Sequence, residues 1–244
     1  MITNRNGFGN DSHSVLYITG EEGLIGAYPS STFTESSKNG LTGVTIDYVE
    51  QSITPTHGDF GSKVLNWNTT ENVEKGVTAT SSDFLFGKQD YCIDFFIRGS
   101  AWAAGSTHFI TSFVDASNYM SIDGYFNSGG YILWYWQIKD GGTDIINFIR
   151  QQNDVSLNTW YHGAFVRKVT GTSNERYDLY GNGVIITGVT RESVHNYQID
   201  DTINIGKESA LVSGNMKNVY VDNFRVSKGN KRWDRGFNIP KRSY

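Results

Sequence analysis

The side chains of this protein that could do chemistry are its carboxylates, histidines and aromatics, and the spacing within each set limits what that chemistry can be. Glycoside hydrolysis needs two carboxyl groups facing one another, about 5 to 5.5 Å apart in a retaining enzyme. On a strand that requires even spacing, because successive side chains point to opposite faces. Glu71 and Glu74 are three apart, while Glu21–Glu22 and Asp200–Asp201 are adjacent, so the members of each pair diverge. The histidines His13, His57, His108, His162 and His195 are scattered, with no two-histidine metal spacing among them. No Gly-x-Ser-x-Gly elbow and no phosphate-cradling glycine loop occurs. A hydrolase is disfavoured, and the reading is of a non-enzymatic protein.

Binding chemistry is better represented. In Tyr131-Ile132-Leu133-Trp134-Tyr135-Trp136-Gln137, alternation divides Ile132, Trp134 and Trp136 from Tyr131, Leu133, Tyr135 and Gln137. The tryptophan set is expected in the core. Tyr131 and Tyr135 are expected outward, where flat rings offer an apolar platform to the C–H faces of a pyranose. Trp102, within Ser100-Ala101-Trp102-Ala103-Ala104-Gly105, is expected on a loop, where an exposed aromatic marks a contact site. Trp102, Tyr131 and Tyr135 are therefore the candidate ligand-binding residues.

The elements that must position these side chains are strands. The clearest period-two run is Tyr91 to Gly99, with Tyr91, Ile93, Phe95 and Ile97 on a core face, and Cys92, Asp94, Phe96 and Arg98 facing solvent or a concave groove. Further strands are expected at Ser14–Thr19, within Thr42–Ile53 and Phe60–Asn68, and at His108–Val114, Tyr119–Asp123, Tyr131–Ile138 and Asp144–Arg150, arranged as a meander. Asn182-Gly183 predicts a type I′ hairpin turn, which needs positive φ at both central residues. In Asn218 to Gly229 the apolar alternation of Val219, Val221, Phe224 and Val226 slips by one residue at Asp222-Asn223, as in a bulged strand at a sheet end.

Composition agrees with this pattern. The 244 residues include 27 glycines and only three prolines, as expected for many short strands joined by turns. With 38% hydrophobic and 14% aromatic residues there is material for one core. The formal charge of −4, with both signs interspersed, offers no basic stripe for nucleic acid. Lys228, Lys231, Arg232, Arg235, Lys241 and Arg242 form a basic concentration near the C-terminus, expected to be solvated or partner-facing. Cys92 is the single cysteine and cannot form an intramolecular disulfide. The N-terminus lacks the apolar core of a secretory signal, and no window approaches the roughly 18 apolar residues of a membrane span, so a soluble product made in a cytoplasm is expected.

The closing segment Asp201-Thr202-Ile203-Asn204-Ile205-Gly206, then Asn218 to Gly229, with the pair Trp160-Tyr161-His162-Gly163-Ala164 and Leu179-Tyr180-Gly181-Asn182-Gly183, resembles the laminin-G or pentraxin-like jelly roll of the concanavalin A-like class. With Lys228-Gly229-Asn230-Lys231-Arg232-Trp233 and Phe237-Asn238-Ile239-Pro240, it is similar to the form found in phage virion proteins. The resemblance implies an all-β, two-sheet antiparallel jelly-roll sandwich of the concanavalin A-like lectin/glucanase type. It covers a single domain over 14–240, flanked by a flexible arm at 1–13 and a tail at 241–244, with the opening strand beside the closing one.

The same resemblance implies a virion component, a capsid decoration or fibre-type module. Its partners would be other virion proteins and a host-surface glycan, and it would form a homo-oligomer. A stand-alone carbohydrate-binding lectin-like module is the alternative. The resemblance further implies one Ca2+ ion between an early acidic loop and the last strand, at Glu35 and Asp222, with Glu35 standing where the family usually has Asp. The alternative for Asp222 is a hydrogen bond to the opening strand.

Overall fold

The computed structural model describes residues 14–18, 30–32, 45–47, 50–52, 64–67, 76–102, 109–114, 118–197, 201–206, 216–229 and 233. Within them lie sixteen strands: β1 (Ser14–Ile18), β2 (Ser30–Thr32), β3 (Thr45–Asp47), β4 (Glu50–Ser52), β5 (Val64–Asn66), β6 (Gly76–Thr80), β7 (Tyr91–Gly99), β8 (Phe109–Val114), β9 (Tyr119–Asn127), β10 (Tyr131–Asp140), β11 (Thr143–Gln152), β12 (Trp160–Thr170), β13 (Asn174–Gly181), β14 (Val184–Arg191), β15 (Thr202–Ile205) and β16 (Val219–Lys228). A 3-10 turn, Ser82–Phe84, is capped by the Ser81 hydroxyl, which accepts from the Asp83 amide. The expected arm at 1–13 and tail at 241–244 lie outside the described residues.

The strands form two eight-stranded antiparallel sheets. One runs β14-β13-β12-β7-β16-β5-β4, with β1 also on β16; the other runs β11-β10-β9-β8-β15-β6-β3-β2. The expected pairing of opening and closing strands is present, Tyr17 lying opposite Arg225 and Ile18 opposite Phe224. The expected meander is only local. Hairpin neighbours β8 to β11 and β12 to β14 follow one another, but β15 inserts between β8 and β6, and β16 between β7 and β5. Closing strands return to the middle of each sheet because two amphipathic layers bury their apolar faces only when the chain crosses between them. The single strand expected within 42–53 is in fact two, β3 and β4, one in each sheet.

The core fills the space between the layers. Tyr91, Ile93, Phe95 and Ile97 of β7 meet Trp134, Trp136, Ile132 and Ile138 of β10, all buried. Ring contacts join the sheets edge to face, Trp136 to Phe165 at 5.4 Å and Trp134 to Phe165 at 5.7 Å. Each such side chain contributes about 1.5–3 kcal/mol on burial. The Asn182-Gly183 turn has φ of 49° and 77°, as a type I′ turn requires.

The bulge at Asp222-Asn223 is present, but within the sheet interior and not at its end. The β16–β7 register slips between Asp222 and Arg225, and Asn223 takes φ of 51°. That slip keeps Val219, Val221, Phe224 and Val226 all in the core. It also turns Arg225 outward, opposite Asp94 of β7.

The outer face of β7 departs from expectation. Cys92, Asp94 and Phe96 are buried there. Arg225 holds Asp94 bidentately at 2.8 and 3.1 Å, His162 lies 3.5 Å from the same carboxylate, and Trp233 packs over Cys92, Ala164, Val166 and Tyr180. Burial opposes the Asp94 charge, yet the Arg225 guanidinium and His162 hold its carboxyl below the ordinary range. Alternation separates two faces but does not reveal what covers the second, and here a charge network with a tryptophan lid makes it a second, smaller core.

Candidate functional site

The tyrosines gather on the outer face of β9, β10 and β11. Pairing sets Leu133 opposite Tyr125 and Gln151, Tyr135 opposite Asp123 and Ile149, and Gln137 opposite Ser121 and Asn147. Trp134 and Trp136 point the other way and are fully buried, whereas Tyr131, Leu133, Tyr135 and Gln137 are partly exposed. The Tyr125 and Tyr135 rings lie 6.4 Å apart with a 33° tilt, so they form one continuous, slightly folded platform. Burial raises the Tyr135 hydroxyl, and the neighbouring Tyr125 hydroxyl adds to the effect. Ile149 extends the apolar surface at 47% exposure, and the Gln137 amide donates to Asn147 Oδ1 at 3.5 Å beside it.

Asp123 shares this face and is partly buried. It sits between Tyr125, two residues on, and Tyr135 across the strand pair, with Ile110 registered opposite it on β8. Burial pushes its carboxyl up to about 7. Among the described residues no cation or hydrogen-bond donor answers that carboxylate. Lys139, on the same face of β10, is four positions beyond Tyr135 and is engaged over the Tyr119 ring and 3.6 Å from Asp144. Ser121, two residues before Asp123, is buried, and its hydroxyl has no hydrogen-bond partner among the described residues.

A carboxyl whose folded pKa exceeds its unfolded value binds more protons when native than when unfolded, so stability falls as pH rises between the two values. Asp123 therefore lowers stability progressively from about pH 4 to about pH 7, and fully above that. Asp123→Asn is expected to raise the melting temperature at pH 8, to leave it nearly unchanged at pH 4, and to flatten the profile between. Parallel melts of both proteins across that range check this, and an unchanged difference at the two ends would contradict it.

Of the residues that the sequence nominated, Tyr131 and Tyr135 share this face. Trp102 does not belong to it: 37% exposed, it follows the end of β7 in the opposite sheet, where Ser100 donates to the Asn218 carbonyl. Asp222 is buried at the β16 bulge, where its Oδ1 accepts from the Asn223 amide at 2.8 Å. Glu35 lies outside the described residues, among which no group of three His, Cys, Asp or Glu side chains converges. Sequence reasoning missed Asp123 and Tyr125. Their signal was the alternation of Tyr119, Ser121, Asp123 and Tyr125 with Met120, Ile122 and Phe126, which marks a polar-aromatic outer face.

No curated protein matches this chain. Among solved structures it is similar to the botulinum neurotoxin serotype G binding domain (TM-score 0.59, 16% identity, 89% of this chain and 48% of that one). It is likewise similar to the binding domain of Paraclostridial Mosquitocidal Protein 1 (TM-score 0.59, 18% identity, 93% and 50%). A third is the binding domain of botulinum neurotoxin DC in complex with rat synaptotagmin II (TM-score 0.59, 16% identity, 90% and 49%). The chain spans about half the length of these solved chains, and at such identities the likeness is one of fold. The family described as the concanavalin A-like lectin/glucanases superfamily, of laminin-G type, matches residues 71–233. With that match over more than half of its length, on two antiparallel sheets joined as a jelly roll, the chain belongs to the concanavalin A-like lectin/glucanases superfamily.

Proposed function

We propose that this protein is a non-enzymatic binding module that holds a glycan on the outer face of β9 to β11. It acts as a surface component of a virus particle, a capsid decoration or fibre-type module, as a homo-oligomer among other virion proteins. The observation that carries the glycan reading is the Tyr125–Tyr135 platform with Tyr131, Leu133 and Ile149 around it and amide side chains beside it. Apolar rings with hydrogen-bonding groups at their margin suit a sugar, which presents C–H groups on its faces and hydroxyls at its edge.

The buried carboxylates support binding over turnover. Asp94 is held by Arg225, Glu175 by Arg167 and His195, and Asp178 by Lys168 and Arg176. Each is neutralised by its own cation and none faces a second carboxylate as hydrolysis would need. The solved structures of similar fold are named as binding domains, one of them in complex with rat synaptotagmin II. The phage-like closing segment supports the virion part of the reading. Calcium shared by Asp222 and Glu35 belongs to the same reading, and calorimetric titration with calcium addresses it.

A glycan array probed with the intact protein and with Tyr135→Ala tests the binding function. Selective binding by the first, weakened about tenfold or more in the second, is expected, since loss of a stacking ring costs about 1–3 kcal/mol. Uniformly blank arrays would remove the glycan reading. Mass spectrometry of purified virus particles tests the virion placement, and absence of the chain from them would leave the stand-alone lectin.

A further inference from the structure

We infer that the glycan held on β9 to β11 carries a protonated amine, and that Asp123 is the residue that selects it: the ligand class is a hexosamine bearing a free ammonium, and not its neutral or N-acetylated counterpart. This deepens the glycan reading and rests on it.

The argument begins with charge. Asp123 is partly buried on the outer face, and the described groups around it are rings and neutral side chains: Tyr125 and Ser121 on its own strand, Tyr135 across on β10 with Leu133 and Gln137 beyond, and Ile149 on β11; position 110 of β8 is opposite it in register. No lysine, arginine or histidine stands in those positions. Lys139, the cation of this face among the described residues, is about 13 Å along β10 from Tyr135 at ~3.3 Å per residue and is already paired with Asp144. The Asp94, Glu175 and Asp178 carboxylates each have a cation within 3 Å. Asp123, partly buried, has no such cation beside it among the described residues.

Tyrosine faces carry the negative lobe of their quadrupole, so the two rings beside Asp123 add to its attraction for a cation. A neutral hydroxyl offers Asp123 only a hydrogen bond, whereas an ammonium offers that bond and the missing charge. The arrangement also explains why a carboxyl that lowers stability at neutral pH is accommodated: its desolvation is offset only when a cationic ligand is bound. The pyranose ring would lie on Tyr135, with its ammonium over Asp123 and the edge of Tyr125.

The test measures calorimetric binding at pH 7 of a tetramer of β-1,4-linked glucosamine and of the same tetramer fully N-acetylated. The proteins are the intact chain, Asp123→Asn, and Asp154→Asn, which removes the same charge from an exposed turn. At least tenfold tighter binding of the free-amine tetramer by the intact chain is expected, retained in Asp154→Asn and lost in Asp123→Asn, with binding of the acetylated tetramer little changed. Equal binding of both tetramers, or a preference that survives Asp123→Asn or falls equally in Asp154→Asn, overturns this inference and leaves the glycan platform standing. Failure of both tetramers, together with a blank glycan array, overturns the platform itself.

Discussion

Arg167→Ala is expected to destabilise the fold by about 3–5 kcal/mol, the cost of leaving a buried ion-pair partner uncompensated. Arg167 is fully buried on β12. Its Nε and Nη2 donate to Glu175 Oε2 at 2.9 and 2.7 Å, its Nη1 to the carbonyls of Gly87 and Gln89 at 2.8 and 3.2 Å, and Nη2 also to the His195 carbonyl at 2.5 Å. The guanidinium stacks 4.6 Å over the Tyr197 ring and 5.9 Å from Tyr91. One side chain therefore ties β12 and β13 to the loop before β7 and to the segment after β14. Truncation takes this donor from the Gln89 and His195 carbonyls, the Gly87 carbonyl keeps the Tyr197 amide at 2.9 Å, and Glu175 keeps His195, whose Nδ1 and backbone amide contact it.

A chain of this size loses about 2–4 °C of melting temperature per kcal/mol, so a fall of roughly 10 °C is expected. Arg167→Lys retains the charge but not the planar fork and is expected to recover only part of the loss. Denaturant melts of the three proteins check this. A loss under about 1 kcal/mol in Arg167→Ala would show that the clamp is dispensable.

Trp134→Ala is expected to cost about 3–5 kcal/mol as well, through a different cause: an unfilled cavity between the sheets. The Trp134 ring lies 5.7 Å from Phe165 and 6.2 Å from Phe95, and its Nε1 donates to Gln152 Oε1 at 3.0 Å. Gly163 of β12 makes room for it, since a Cβ there would stand 2.7 Å from the ring. The cavity cannot collapse, because stiff strands on both sides hold their spacing. The neighbouring substitution Tyr135→Ala removes a ring of similar size from the outer face and is expected to cost far less stability while weakening ligand binding. Comparable losses for the two would mean that β10 does not present its faces as described.

How much of this was legible in the sequence depends on the range of the interaction concerned. Period-two alternation located β7 and divided the faces of β10, setting Trp134 and Trp136 inside and Tyr131 and Tyr135 outside, whereas β12 was found through the resemblance to the family. The slip at Asp222-Asn223 was visible because a bulge shifts apolar phase by one residue. Asn182-Gly183 declared its turn because few other residues tolerate two successive positive φ values.

Asp123 was not legible as a site residue, since its distinction is what surrounds it. Tyr135 reaches it only through the β9–β10 register, and the lack of a nearby cation among the described residues is a property of three strands together. The buried outer face at Cys92 and Asp94 was hidden for the same reason, because Arg225 and His162 arrive there from strands 131 and 68 residues away. The sequence by itself determined most of the strands and the division between their two faces, which are written in spacing along one segment, and the order of its motifs along the chain carried the resemblance to the superfamily. Only the tertiary structure decided which outer-face residues became neighbours and which charges found partners, because burial and charge compensation are set by segments brought together from distant parts of the chain.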